Sequence, residues 1–408
     1  MHDKEIFNLI KKETQRQRDK ICLIPSENYA SSEVLAALGT VLNNKYSEGY
    51  PCKRYYEGQE FIDQIEDIAR ERAKKLFGAE HANVQPYSGS PANQAVYLAF
   101  LKPGDKVMGM ALPSGGHLTH GWHVNFSGIG YDAVQYMVDS KTLLLDYDAI
   151  RKMAKKEKPK MIIAGSTAYP RKIDFEKFGE IAKEISAYFL ADVSHIAGLI
   201  VAGVHQSPVP YADVVMTTTH KTLRGPRGAL LLCKKEHAQK IDRAVFPGIQ
   251  GGPHDHQTAA IAVCLKEAAS KEFREYGKQV VKNAKIMADE MQKMGYSVVS
   301  GGTDNHLFLI DICSLGHDGN SASRALEESG ITTNKNSIPF DESPPARPCG
   351  LRLGSPAITS RGMKEKECIL IAGLLDKILK NIGDEKVYAE VRKTVKELCD
   401  KFPAPGVN

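Results

Sequence analysis

The chain has 408 residues, 42% of them apolar and 25% charged, and 54 basic against 49 acidic side chains leave a net charge of +5. That composition excludes disorder, collagen and coiled coil, and the length suggests more than one domain with a core that needs no staples. No apolar run reaches the roughly 18 residues of a membrane helix, and the spread of basic residues allows anionic small molecules without demanding nucleic acid.

The eight cysteines, at 22, 52, 233, 264, 313, 349, 368 and 399, show no CxxC pair and no zinc spacing. A reduced, cytoplasmic interior is the simplest reading. The first twenty residues lack the apolar core of a signal peptide, and Asp3, Glu5 and Glu13 argue against a transit peptide.

In chain order, residues 4–19 read as a polar helix, an arm resting on something else. A short helix follows at 32–42, then a loop at 43–58 rich in Gly, Tyr and charge. Apolar residues from Phe61 to Leu76 recur at helical spacing, and Gly78 stops that helix. From Asn83 to Leu232 short apolar runs alternate with helical stretches. Lys106–Leu112, Met161–Ala164, Ala187–Val193 and Asp213–Thr219 lack polar alternation, as strands of a largely parallel sheet buried on both faces do. Helices are predicted near 235–245 and 256–294, a strand over His306–Cys313, and helices near 320–329, 363–381 and 385–400. The fold class is α/β, with an N-terminal arm over 1–55, a large domain over 56–275 and a smaller α+β domain over 276–408.

Four segments carry chemistry. Lys221 follows a buried strand and precedes a Gly/Pro-rich turn, where partial desolvation would free its amine for Schiff-base chemistry. Asp192, with His195 three residues on, ends another strand, where α/β folds hold ligands. An acid there can keep a pyridine nitrogen protonated. Tyr87-Ser88-Gly89-Ser90-Pro91 sits between strand and helix, an arrangement suited to an anion. Arg352, between glycines on a short strand, suits a carboxylate. Taken singly, each has an ordinary structural reading: a surface amine, a helix cap, a loop, a solvated cation. His254 and His256 lack a third ligand in sequence and read as loop residues, so no metal is expected.

Together, the order Ser-Gly-Ser, Asp-x-x-His, His-Lys and a C-terminal Arg resembles fold-type I enzymes that use pyridoxal phosphate (PLP). Longer stretches are more specific: Pro25-Ser-Glu-Asn28, Lys45–Pro51, Arg54-Tyr-Tyr56, Gly115–Gly121, Ala191–Leu199, Thr217–Gly228, Phe246–Gly252 and Asn334-Lys-Asn336. These resemble serine hydroxymethyltransferases, from about residue 20 to the C-terminus.

The resemblance implies that Lys221 holds PLP covalently, Asp192 pairs with the pyridine nitrogen and His117 stacks on the ring. Ser88, Gly89, Ser90 and His220 would bind phosphate, with Thr167 and His195 nearby and Tyr46 and Gly252 supplied by a neighbouring subunit. Ser26 and Arg352 would grip the substrate carboxylate. Tyr56 and Glu48 would reach across the interface, Glu48 to move a proton. Leu112, Gly116, Leu118 and Asn336 would line a folate site. The implied reaction interconverts serine and glycine through external aldimine and quinonoid intermediates, with tetrahydrofolate taking the carbon. The implied assembly is a homodimer or tetramer with shared sites. Departures from the family pattern occur at Cys52, Glu57, Tyr87, Ala111–Ser114, Trp122-His123, Thr167, His254–His256 and Pro344–Cys349. Those near 111–123 and 344–349 motivate one alternative, a folate-independent aldolase or α-methylserine-type relative acting on 3-hydroxy amino acids; a catalytically silent binding homologue is a separate one, against which Lys221, Asp192 and Arg352 argue.

Overall fold

Seven strands build the main sheet in a computed structural model that describes residues 3–344 and 346–407. Their spatial order is His81–Asn83, Ala229–Cys233, Val214–Thr218, Tyr188–Asp192, Met161–Gly165, Lys106–Met110 and Asp132–Tyr136. Ala229–Cys233 alone runs against its neighbours. The central strands are apolar throughout because helices cover both faces; every residue of Met161–Gly165 is buried. The edge strand Asp132–Tyr136 carries Asp132 and Gln135 and does not read as a strand from its composition.

This sheet belongs to the first of two units, Glu33–Gly277. Within it, the helix Glu60–Phe77 buries Ile62, Ala69, Ala73 and Phe77 and stops at Gly78, whose φ of 72° suits glycine. The stretch expected as a helix over 32–42 breaks after Leu38 and resumes as a 3₁₀ turn at Val41–Asn44.

The stretch expected as a loop over 43–58 contains a small hairpin, Gly49–Tyr50 against Lys53–Arg54. Tertiary contacts hold it. The Arg54 guanidinium, almost wholly buried, pairs with Glu66 at 2.7 Å and Asp63 at 2.9 Å. It also donates to the carbonyls of Ser47 and Gly49. Gln85 shares Glu66 and donates to Gly49 O, and the Ser47 hydroxyl lies 2.7 Å from the Asp255 carboxylate. A buried ion pair whose remaining donors are satisfied keeps one geometry.

The second unit joins the described residues through Ser32 to Lys278 and onward, so the division falls inside the helix Lys271–Lys293. The helical stretch expected over 256–294 is interrupted at Ala269-Ser270. Three antiparallel strands, Leu307–Asp311, Gly350–Gly354 and Asn334–Asn336, form this unit's sheet. Ile21-Cys22 adds a short parallel pair with Ile331-Thr332. Arg361 ties two segments distant in sequence together: it donates to carbonyls of Gln17, Arg18, Lys20 and Phe402 and stacks on Tyr29. The strand expected over His306–Cys313 ends at Asp311, and Cys313 lies in a 3₁₀ turn bridged to Cys349 by a disulfide. Linear spacing does not reveal that pair. Among the described residues no helix is long and apolar enough to cross a membrane.

Candidate active site

The carboxyl ends of the parallel strands carry the singled-out segments of the first unit, as open α/β sheets arrange their ligand sites. Asp192 ends one strand, Thr167 follows the next, and His220 and Lys221 follow Val214–Thr218. Ser88 and Gly89 begin the helix Gly89–Phe100, and Leu112–His120 follows Lys106–Met110. Asp192, Thr167, His220-Lys221 and Leu112–His120 leave largely buried strands at the same sheet edge, whereas Ser88 follows the short polar strand His81–Asn83.

Asp192 is the electrostatic centre. One carboxylate oxygen accepts the Ser194 N–H at 3.1 Å; the other accepts Asn93 Nδ2 at 3.0 Å and faces His120 Nε2 at 3.1 Å. Burial is the largest single influence and raises this carboxyl, but the hydrogen bonds from His120 and Ser194 and the nearby histidine rings together outweigh it and hold the group well below the usual carboxylate range. His120 Nδ1 accepts the His117 N–H, which leaves the Nε2 hydrogen for Asp192.

A chain of hydrogen bonds then runs outward. Asn93 donates to the Thr119 hydroxyl at 2.7 Å, and that hydroxyl lies 2.8 Å from His117 Nδ1. Burial above all, with the neighbouring His120 ring and Lys221 also disfavouring a positive imidazole, lowers His117 to about 4, so the ring is neutral at pH 7. His220 is lowered to about 3 by burial and by Arg227 and Lys221. The Lys221 charge is felt at both rings.

The start of Gly89–Phe100 forms a cradle. Ser88 is the N-cap residue, and a Cβ on Gly89 would meet Thr218 Cγ2 at 2.8 Å. Two buried polar atoms here, Thr218 Oγ1 and His220 Nδ1, have no hydrogen-bond partner among the described residues. Free amides, a small residue and unmatched polar atoms fit a phosphate, and an ionised buried carboxylate fits a protonated ring nitrogen. PLP carries both. Ser90 is exposed in the first turn, and His195 is buried, its carbonyl accepting from Thr222.

The segment bearing Leu112, Gly116 and Leu118 is folded tightly. A Cβ on Gly116 would meet the Met110 carbonyl at 2.0 Å, and Gly115 has a φ of 103°. Thr167 Oγ1 donates to Gly116 O at 3.0 Å, so this hydroxyl fixes the turn.

A second cluster gathers Tyr46, Glu48, Tyr56 and Gly252. The two tyrosine rings meet edge-on at 5.4 Å, both about half exposed, and Glu48 raises the Tyr56 hydroxyl. A Cβ on Gly252 would touch the Tyr46 ring at 3.3 Å. Tyr87, next to Ser88, donates to Gly252 O at 2.6 Å and stacks on His254.

Ser26, Asn336 and Arg352 lie in the second unit. The Arg352 strand pairs Asn334 with Arg352 and Asn336 with Gly350, and Asn334 Oδ1 accepts from Arg352 Nε at 3.1 Å. Pro25, beside Ser26, packs on Gly354 of that strand. Burial lowers the Arg352 guanidinium to about 10, an environment where a carboxylate partner is favoured.

Asn93, Thr119 and His120 hold Asp192 and His117 but do not stand out as site residues in the sequence. The repeated His in Gly115–Gly121 was the available signal. His117, His120 and Asp192 also lie close enough for a metal ion, as do Asp311, Cys313 and Cys349. In the first group Asp192 and His120 already bond each other.

A sheet edge that combines a lysine, an ionised buried aspartate and an amide-rich helix start defines the fold-type I class of PLP-dependent transferases. A model of the serine hydroxymethyltransferase family matches residues 1–375, and the chain belongs to that family, whose members interconvert serine and glycine. It is similar to a serine hydroxymethyltransferase of Desulfotalea psychrophila, 58% identical over 99% of this chain and 95% of the relative. Those of Acidothermus cellulolyticus and Sorangium cellulosum are 57% and 54% identical over 100% and 99% of this chain, and 96% of each relative.

Proposed function

We propose that the chain carries PLP on Lys221 and transfers the hydroxymethyl carbon of serine to tetrahydrofolate, leaving glycine. The observation that carries this reading is the Asp192 carboxylate, kept ionised by His120 and Asn93 at the sheet edge that also bears Lys221. Bound PLP supplies an electron sink for cleavage at the amino acid α-carbon. Asp192 sustains that sink by holding the ring nitrogen protonated, and neutral His117 packs on the ring without adding charge. Ser88, Gly89, Ser90 and His220 hold the phosphate, and Thr167 and His195 support the pocket.

Arg352 and Ser26 grip the substrate carboxylate and orient the bond to be broken. Glu48 moves a proton at the hydroxymethyl oxygen, with Tyr56 as its hydrogen-bond partner. Leu112, Gly116, Leu118 and Asn336 receive the folate. Tyr46, Glu48, Tyr56 and Gly252 serve the site of a second subunit, so the working form is a homodimer or a higher assembly of it, in the cytoplasm.

An absorbance titration of the holoenzyme with glycine tests this reading. A new visible band that grows when tetrahydrofolate is added is expected. Serine cleavage that proceeds equally fast without tetrahydrofolate would overturn the assignment of the carbon acceptor.

A further inference from the structure

The antiparallel ladder that carries Arg352 ends at a pair of sulfurs. Leu309 faces Arg352 and Asp311 faces Gly350. One step beyond, the Ile312 N–H donates to Cys349 O at 2.8 Å, and a disulfide joins Cys313 to Cys349, their Cα atoms 5.0 Å apart. The bridge spans 36 positions of sequence. Its setting is polar and partly open. Cys313 is exposed, whereas Cys349 is 8% exposed. Asp311 accepts the Cys313 N–H, Asp341 accepts the N–H groups of Cys349 and Ser343, and Ser343 Oγ lies 3.0 Å from Cys349 Sγ. The other six cysteines are free; all but exposed Cys52 are buried.

We propose that Cys313 and Cys349 form a reversible redox clasp that sets the alignment of the Arg352 strand. The co-reactant is a low-molecular-weight thiol–disulfide couple. Its thiolate attacks the exposed Cys313 sulfur, breaking the bridge and releasing Cys349 as thiolate. A second small thiolate then attacks the mixed disulfide and frees Cys313. Two small thiols become one small disulfide, and the two electrons and two protons they give up leave the protein as a dithiol. Oxidation runs the same exchanges backwards.

Position gives the clasp its effect. Cys349 is three residues before Arg352, and Gly350 between them pairs with both Asp311 and Asn336. Opening the bridge frees the ladder end from which the carboxylate grip and Asn336 are aligned. This consequence rests on the roles proposed above for Arg352 and Asn336; the chemistry of the sulfurs does not.

The test equilibrates the holoenzyme in buffers of reduced and oxidised glutathione, then alkylates under denaturing conditions and maps peptides by mass. In the oxidised buffer six cysteines are expected to alkylate, with 313 and 349 cross-linked; in the reduced buffer all eight. The KM for serine is expected to rise about threefold on reduction with a smaller change in kcat. Cys313→Ser should show the reduced value in both buffers, its cofactor absorbance unchanged. Full alkylation of both cysteines in the oxidised buffer overturns the clasp, as does protection of both thiols that a chelator alone removes. A bridge that cycles while KM stays fixed overturns the alignment. A bridge that cycles in a protein without serine cleavage in either buffer sustains the redox pair and defeats the functional reading.

Discussion

Asp192 shows how much a single side chain owes to neighbours distant in sequence. Its charge survives burial because Asn93 and His120 donate to it, 99 and 72 positions away. Asp192→Asn keeps the shape and removes the charge, so kcat should fall on the order of 10³-fold with cofactor still bound; single-turnover kinetics would show it. The two neutral histidines make a pH prediction. His117 and His220 sit at about 4 and about 3, below the 6.5 of a free imidazole. The unfolded chain therefore takes up protons first as pH falls below about 6.5, and stability drops with it. The unfolding free energy of the cofactor-free protein, from urea titrations, should fall by roughly 1–2 kcal/mol per histidine between pH 7 and 5, and His117→Gln or His220→Gln should flatten the slope. The Asp192 contribution disappears only further down, below about 4. The sequence displays Asp192 and Lys221 because each follows an apolar strand. It hides Asn93, Thr119 and His120 because their role exists only through space.

At the level of elements, legibility follows burial. Met161–Gly165 is plain in the sequence because both its faces are covered, whereas Asp132–Tyr136, at the sheet edge, is not. The Gly49–Arg54 hairpin is invisible for a different reason: the buried Arg54, Glu66 and Gln85 contacts hold it rather than local propensity. The start of the helix Gly89–Phe100 offers a steric test. Gly89→Ala would press a methyl against Thr218 and narrow the cradle, so the dissociation constant for PLP should rise about tenfold while the secondary structure is kept. Equilibrium dialysis would measure it. The disulfide lies between elements whose spacing gives no hint of it. Closing a loop of 36 positions restricts the unfolded chain, so Cys313→Ser should cost up to about 3–4 kcal/mol of unfolding free energy, read from denaturant midpoints under oxidising conditions.

The whole molecule poses the question of shared sites. If Tyr46, Glu48 and Tyr56 serve the partner, two inactive variants should repair each other. Lys221→Ala and Glu48→Gln, mixed and allowed to exchange subunits, should regain about a quarter of wild-type activity, since half the dimers carry one intact site. No recovery after verified exchange would place both groups in one protomer's site. Arg361 bears on how this molecule is made. It fastens Gln17, Arg18 and Lys20 to Phe402, so a segment made before the Glu33–Gly277 unit waits for one made after it. During synthesis the Glu33–Gly277 unit has all its own strands well before the opening segment gains a partner. A nascent chain halted after Gly277 should therefore protect the interior of that unit from protease while the segment around Gln17–Lys20 is cut, and only translation through Phe402 would shelter that segment.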